Sequence, residues 1–138
     1  MLDRATSSPG RGVTILDSES TARRIADLAL ERKALDVVVI DVQGRTSYTD
    51  FIVLASGTSD RHVQAVAEYV ADTMKNDDGV TPLGREGLRE GQWALVDFGS
   101  VVCHVFHQFT RDLYDLEELW KDAPRVAVDP PASAGTGR

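Results

Sequence analysis

The stretch W-A-L-V-D-F-G-S-V-V-C-H-V-F-H, residues 93–107, decides the fold. Two apolar runs flank Gly99 and Ser100. Glycine at the first central position of a two-residue loop is typical of a type II′ turn, whose twist suits a β-hairpin. The sequence therefore predicts a hairpin with these cross-strand pairs: Phe98 with Val101, Asp97 with Val102, Val96 with Cys103, Leu95 with His104, Ala94 with Val105 and Trp93 with Phe106.

This hairpin has two faces, and both are largely apolar, because side chains alternate across each strand. The first face carries Ala94, Val96, Phe98, Val101, Cys103, Val105 and His107. The second face carries Trp93, Leu95, Asp97, Val102, His104 and Phe106. A half-exposed antiparallel hairpin usually has one polar face. Each face therefore needs a cover, and what covers the second face bears on function.

Length, composition and charge restrict the class of protein. At 138 residues, 42% hydrophobic and 27% charged, the chain is long enough for one domain with a real core. A net charge of −7 argues against direct binding to a nucleic-acid backbone and favours a basic protein partner. No apolar run approaches the ~20 residues of a membrane span, and the first residues lack the apolar centre of a signal peptide. We expect a cytoplasmic protein whose single cysteine, Cys103, is a buried small side chain.

Around the hairpin, the remaining patterns predict an α/β fold, a mixed β-sheet with flanking helices. The predicted elements, in chain order, are a helix capped at Ser18 or Ser20 and ending near 31–33, strands over 36–42 and 48–55, a helix from Ser59 to Asn76, a short edge strand near 80–83, the hairpin, and a helix from Thr110 or Asp112 to Trp120. We expect one domain over residues 17–121, between a flexible arm, 1–16, and a disordered tail, 122–138.

Three strand aspartates, Asp41, Asp50 and Asp97, are the candidates for a metal-dependent nucleotidyltransferase. Such an enzyme needs two carboxylates aimed at one metal pair, which two residues of spacing on a strand would provide. None of the three has a second carboxylate at that spacing, although ligands from separated strands remain open. Residues 57–59 precede a helix and offer backbone N–H groups to an anion, but a plain capped turn is favoured there.

The histidines of the hairpin do not form a catalytic set either. His104 and His107 are three residues apart on one strand, so they point to opposite faces and cannot share a metal ion. His104 could pair with Asp97 as an acid–base dyad, but no nucleophile is predicted beside them. A structural or partner-contacting role is therefore favoured for His104.

The segment after the hairpin is strongly acidic. Between residues 112 and 122, the single base Lys121 stands against five acids: Asp112, Asp115, Glu117, Glu118 and Asp122. One interpretation is a solvated helix face. The other is a protein interface with an acidic rim and an apolar, aromatic centre made of Trp93, Leu95, Phe106 and Tyr114. A third arrangement, in which further helices of this chain cover the second hairpin face, competes with that interface.

Several blocks of the sequence, by their order and spacing, resemble the Iojap-like ribosomal silencing factors. The similarity spans about residues 20–121 and rests on D-V-Q-G at 41–44, T-D-F at 49–51, G-T-S-D-R-H at 57–62, P-L-G-R-E-G at 82–87, W-A-L-V-D-F-G at 93–99, V-C-H-V-F at 102–106 and L-Y-D-L-E-E-L-W at 113–120. Ser100 departs from the family pattern, which usually has an acid there. One negative charge is thereby missing from the expected surface.

The resemblance implies a function without a chemical reaction. It implies a fold related to the nucleotidyltransferases but lacking their catalytic carboxylates, with no cofactor and no metal. The implied partner is the large ribosomal subunit, at its protein fourteen, where the factor blocks association with the small subunit and represses translation under nutrient limitation. A role in large-subunit assembly is implied as well. The residues expected to contact the partner are Trp93, Asp97, His104, Phe106, Tyr114 and Glu117.

Two other functions remain as alternatives. The first is a metal-dependent nucleotidyltransferase-like enzyme whose carboxylates converge only in the folded protein. The second is a homodimerisation or adaptor module that uses the second hairpin face for self-pairing. The family resemblance also implies some homodimer.

Overall fold

A mixed six-stranded sheet with helices on both faces makes up residues 17–87 and 91–128, the parts of the chain that the computed structural model describes. In chain order the elements are α1 (Ser18–Glu31), β1 (Leu35–Asp41), β2 (Phe51–Gly57), α2 (Asp60–Asp77), β3 (Gly84–Glu86), β4 (Trp93–Asp97), β5 (Val101–His107), α3 (Gln108–Tyr114), α4 (Leu116–Leu119) and β6 (Arg125–Val126). The strand order is β3-β4-β5-β2-β1-β6. The predicted mixed sheet with flanking helices is confirmed.

The hairpin has the predicted register. β4 pairs with β5 antiparallel, so that Trp93 lies opposite Phe106 and Leu95 lies opposite His104. Gly99 has a φ of +88°, the positive value that the first central position of a II′ turn requires. On its other side, β5 pairs in parallel with β2. An interior strand of this kind is covered on both faces, which explains why its sequence is almost continuously apolar.

The first face of the hairpin packs against α1 and α2. The apolar stripes of both helices join the hairpin residues Ala94, Val96, Cys103 and Val105 in the larger core cluster. This cluster accounts for the burial of the single cysteine, which is fully enclosed. Within residues 17–87 and 91–128, no helix combines the length and the apolarity that crossing a bilayer needs.

Both long helices begin at a side-chain cap. The hydroxyl of Ser59 accepts a hydrogen bond from the N–H of His62 at 3.0 Å, which confirms the predicted start of α2. The predicted cap of α1, at Ser18 or Ser20, is wrong. Asp17 is the cap, because its carboxylate lies one residue before the helix and accepts from the N–H of Ser20 at 2.7 Å.

The second face of the hairpin is partly covered by the chain itself. A smaller core cluster forms there around Phe106, Ile52 and Leu54, and Leu116 and Trp120 pack onto it from the C-terminal segment. The helices of the chain therefore cover the side of this face nearest β1 and β2. On β4, the three outward residues Trp93, Leu95 and Asp97 remain partly exposed.

The last helix is broken, contrary to the prediction of one continuous helix. Asp115 separates α3 from α4 with a φ of +48° and a ψ of +52°. This left-handed conformation ends a helix, and aspartate tolerates it better than most residues. The break directs neighbouring side chains differently, because Leu116 packs onto the sheet whereas Leu113 stays 78% exposed.

Residues 122–128 form part of the fold, contrary to the prediction that a disordered tail begins at residue 122. Ala123 is buried, β6 pairs with β1, and the N–H of Asp41 donates to the carbonyl of Pro124 at 2.9 Å. The prolines that exclude a helix still permit a short edge strand. The rest of the tail, 129–138, and the predicted arm, 1–16, lie outside the described residues.

Two predicted strand positions are displaced. The edge strand expected near 80–83 is β3, which pairs with β4 through Gly84, Arg85 and Glu86. The second strand begins at Phe51 and leaves Tyr48 in the preceding loop, 59% exposed. Apolar composition alone does not separate a strand from the loop residues beside it.

Candidate functional site

Four rings form an aromatic cluster where the second hairpin face meets α3. Trp93 is its centre. The centroid of its ring lies 4.9 Å from that of Phe106, 4.7 Å from that of Tyr114 and 5.9 Å from that of His104. Offset and tilted ring pairs at such distances stabilise one another beyond their buried area. We call these four residues, Trp93, His104, Phe106 and Tyr114, the aromatic cluster.

A hydrogen bond fixes the orientation of Trp93. Its indole N–H donates to Nδ1 of His104 at 3.0 Å. An indole nitrogen only donates, so Nδ1 of His104 is the unprotonated nitrogen and the ring is neutral with its proton on Nε2. Burial lowers the pKa of His104 from its ordinary 6.5 to about 4. The ring therefore stays uncharged at neutral pH.

Exposure divides the six residues that the resemblance assigns to partner contact. Phe106 and His104 are 1% and 7% exposed, so they offer little contact area of their own. Trp93 is half-buried and Tyr114 is 53% exposed, so these two offer contact area. The partner-contacting role of all six stays a prediction.

The two acids among the six already have local partners. Asp97 accepts a hydrogen bond from the N–H of Gly99 at 2.8 Å, which holds the hairpin turn. Among the described residues, Asp97 and His104 share no hydrogen bond, because Asp97 bonds Gly99 and His104 bonds Trp93, so the acid–base dyad considered for them is not formed. Glu117 accepts from Arg111 at 2.9 and 3.1 Å, and this hydrogen bonding lowers the pKa of Glu117.

Arg111 is the residue that sequence reasoning missed. Its guanidinium is 7% exposed and makes four hydrogen bonds, two to Glu117, one to the carbonyl of Asp36 at 2.6 Å and one to the hydroxyl of Ser56 at 2.9 Å. It thereby ties α3 to α4, to β1 and to the end of β2. One sequence feature could have indicated this role. Arg111 is the one basic residue directly before the acidic run, and it lies six residues before Glu117.

The two C-terminal helices expose an unusual amount of apolar area. Four large side chains of this short segment are more than half exposed: Phe109 at 74%, Leu113 at 78%, Tyr114 at 53% and Leu119 at 68%. Their exposed acidic neighbours are Asp112, Asp115, Glu118 and Asp122. We call this set of eight residues the α3–α4 surface. Exposed apolar residues among charged ones mark interaction sites.

The strand aspartates do not converge. Asp41 lies on the face of β1 that packs against α1 and α2, whereas Asp97 lies on the second face of β4, three strands away, or roughly 14 Å at ~4.8 Å per strand. Asp50 accepts from the hydroxyl of Ser18 at 2.7 Å. Among the described residues, no three His, Cys, Asp or Glu side chains gather where they could hold a metal ion.

The start of α2 has the geometry of a plain capped turn. The N–H of Thr58 donates to Nδ1 of His62 at 2.9 Å, and Ser59 takes the N–H of His62. The other ring nitrogen of His62 bonds the carbonyl of Arg32 at 2.8 Å. These side chains occupy N–H groups that an anion would need, and the ring of His62 ties α2 to the end of α1.

The neutral His104 predicts a pH-dependent stability. The unfolded side chain takes up a proton near its ordinary pKa of 6.5, whereas the folded one resists until about 4. The stabilisation is therefore complete above pH 6.5 and is lost as the pH falls towards 4. We expect the free energy of unfolding to drop by about 2 kcal/mol between pH 7.5 and pH 5 from this group. Urea titrations at both pH values measure the drop, and His104→Asn should remove it. An equal drop in the variant would assign it to other groups.

Comparison with known proteins identifies the family that carries this site. The family described as "Ribosomal silencing factor during starvation" matches residues 15–137. The chain is 35% identical over 114 residues to the ribosomal silencing factor RsfS of Bacillus subtilis, which covers 83% of this chain and 96% of that protein. It is 37% identical over 100 residues to the mouse protein "Mitochondrial assembly of ribosomal large subunit protein 1", which covers 70% of this chain and 43% of the mouse protein.

A solved structure agrees with the sequence comparisons. The crystal structure of a Chromobacterium violaceum protein superposes with a TM-score of 0.74 at 33% identity, covering 85% of this chain and 98% of that one. The resemblance drawn from the sequence blocks is confirmed. This chain belongs to the ribosomal silencing factor family, RsfS.

Proposed function

We propose that this protein binds the large ribosomal subunit at its protein fourteen, blocks association with the small subunit and so represses translation when nutrients are limiting. Membership of the RsfS family supports the general function. The observation that carries the proposal is the α3–α4 surface, whose four large apolar side chains are more than half exposed beside the aromatic cluster. A soluble domain rarely leaves so much apolar area in one short segment without a partner.

Charge indicates the kind of partner. The acids Asp112, Asp115, Glu118 and Asp122 surround the exposed apolar side chains, and the whole chain carries a net charge of −7. A basic ribosomal protein complements this surface, and complementary charge raises the association rate and suppresses wrong partners. The nucleic acid of the ribosome would be repelled by the same charges. The contact is therefore expected to be mainly with protein.

The mechanism follows from occupancy alone. A factor seated where the small subunit must dock prevents joining by steric exclusion, with no bond made or broken. The name of the mouse relative supports an additional role in large-subunit assembly, which uses the same binding event. We place the protein in the cytoplasm, where subunits join. The relationship to the nucleotidyltransferases stays a prediction.

Co-sedimentation tests the proposal. Purified large subunits, mixed with the protein at moderate salt, should carry it through a sucrose cushion, whereas small subunits should not. Adding small subunits should then give fewer joined ribosomes than in the absence of the factor. A protein that stays in the supernatant with large subunits would contradict the proposed function.

Replacing Trp93 with alanine should weaken binding to the large subunit. Trp93 is half-buried at the centre of the aromatic cluster, so truncation removes an aromatic anchor and the support of Tyr114. We expect a loss of more than roughly 1 kcal/mol, or about fivefold in Kd. Fluorescence anisotropy with labelled protein measures the change.

Tyr48→Ala is the matched control, because Tyr48 is 59% exposed but lies in the loop before β2, outside α3 and α4. Its affinity should equal that of the wild type. Thermal unfolding of both variants separates a binding defect from a folding defect. An unchanged affinity of a folded Trp93→Ala protein would remove Trp93 from the interface.

A further inference from the structure

One ring nitrogen of His104 lacks a protein partner in the described part of the chain. Nδ1 accepts from Trp93, and this is the one hydrogen bond that the ring makes to residues 17–87 and 91–128. The side chain is nevertheless only 7% exposed. Buried polar groups normally have a partner, and leaving one unsatisfied costs roughly 1–3 kcal/mol. Nε2 of His104 is therefore a donor that still needs an acceptor.

The position of the ring shows from which side that acceptor comes. His104 lies on the second face of the sheet, between Leu95 of β4 and Leu54 of β2 at the same level. Strand side chains stand roughly perpendicular to the sheet. Nε2 is the ring nitrogen farther from the backbone, so we expect it on the side of the ring away from the sheet. The neighbour Leu95 is partly exposed, and both flanking side chains are apolar and cannot accept a hydrogen bond.

Trp93 determines which nitrogen carries the proton. Because its indole can only donate, the bond of 3.0 Å to Nδ1 selects the Nε2–H tautomer. If Nδ1 were protonated, it and the indole N–H of Trp93 would both be donors, and no hydrogen bond could form between them. Burial lowers the pKa of His104 to about 4, so the ring is neutral at pH 7 and carries its proton on one nitrogen only.

We propose that the Nε2–H of His104 donates a hydrogen bond to a main-chain carbonyl of the docked basic protein, and that Trp93 is the positioning residue that fixes the tautomer. This inference rests on the proposed function and assigns one atom of its binding surface. A carbonyl is the expected acceptor because a carboxylate would meet a chain with a net charge of −7. A docked partner that offers no acceptor there would leave the donor buried and unpaired, so His104 contributes specificity.

The tautomer can be measured without the ribosome. Long-range proton–nitrogen correlation spectra of the labelled protein at pH 7 should show His104 protonated at Nε2 and unprotonated at Nδ1. Trp93→Phe keeps a ring but removes the N–H, and it should shift this tautomer balance. A wild-type spectrum with the proton on Nδ1 overturns the inference.

Two substitutions at position 104 separate the two nitrogens. In His104→Asn, the amide oxygen takes the place of Nδ1 and can still accept from Trp93, but nothing replaces Nε2. In His104→Gln, an amide N–H reaches the position of Nε2. We expect His104→Asn to weaken binding to purified large subunits about fivefold to tenfold, the usual effect of one neutral hydrogen bond. We expect His104→Gln to bind within about twofold of the wild type.

The outcomes distinguish this inference from the proposed function. A wild-type protein that does not bind large subunits overturns both. If the wild type binds and His104→Asn binds equally well, or if His104→Gln loses as much affinity as His104→Asn, only the inference is overturned. The indole N–H resonance of Trp93 and the Tm of each variant report whether the aromatic cluster is intact, and a loss of affinity in His104→Asn with both unchanged supports the donor role.

Discussion

Replacing Arg111 with methionine should lower the free energy of unfolding by about 3 kcal/mol or more. The guanidinium is 7% exposed and all four of its hydrogen bonds stay within the protein. Methionine retains much of the side-chain volume but leaves Glu117, the carbonyl of Asp36 and the hydroxyl of Ser56 without their donor. Such losses cost far more than the net contribution of an intact pair, because the remaining polar groups stay desolvated. Urea denaturation at pH 7 measures the change.

Lys121→Met is the matched control for Arg111→Met. Lys121 pairs with Glu118 at 3.1 Å in the same segment, but both side chains are 64% exposed. An exposed pair contributes little, so we expect a change within about 0.5 kcal/mol. The double variant Arg111→Met, Glu117→Met should recover part of the loss by removing a carboxylate whose remaining cation, Arg125, is 3.9 Å away. Equal effects of the two single variants would show that Arg111 is not a buried link between the elements.

Replacing Gly91 with alanine should cost about 2–5 kcal/mol of stability. Gly91 has a φ of +72°, and a Cβ there would lie 2.6 Å from both the Cβ and the carbonyl oxygen of Asp60. The backbone conformation alone costs about 1–2 kcal/mol for a residue with a side chain, and overpacking adds about 1–3 kcal/mol. The added methyl group would also separate Gln92 from Asp60, whose side chains are joined by a hydrogen bond of 2.6 Å.

Gly79→Ala isolates the conformational part of this effect. Gly79 has the same φ of +72°, but nothing lies within 4 Å of a Cβ at that position. We expect it to lose about 1 kcal/mol, from strain without crowding. The difference between the two variants in urea titrations is the cost of the contact with Asp60. If both lose the same amount, the close approach of Gly91 to α2 does not determine the stability.

The parts of the fold that follow from local chemistry could be predicted from the sequence. The register of the hairpin follows from Gly99 and the alternation of side chains, and the start of α2 follows from Ser59. Both depend on residues a few positions apart. The break at Asp115 was not predictable in this way. Its left-handed φ is unfavourable locally, and the packing of Leu116 onto a sheet that is distant in the sequence offsets that cost.

The candidate site likewise has features that follow from local sequence and features that depend on the folded chain. The sequence placed Trp93, His104 and Phe106 on one face, and the structure confirms that grouping. It could not show that Phe106 is buried or that Asp97 and Glu117 are held by Gly99 and Arg111. Arg111 itself bonds to Asp36, 75 positions away along the chain, a contact that no spacing rule reveals. Exposure and long-range hydrogen bonds require the folded chain.

The central parallel pair of the sheet has a consequence for synthesis of the chain. β2 pairs with β5, so that Phe51 lies beside Val101, 50 positions further along the chain. As the chain leaves the ribosome, α1, β1, β2 and α2 emerge first and can pack together, but the open edge of β2 has no neighbour until β5 appears. Unpaired strand edges promote association between chains, and pairing over long separations is slow. We therefore expect the nascent chain to pass through an aggregation-prone stage that ends only when residue 107 has been released.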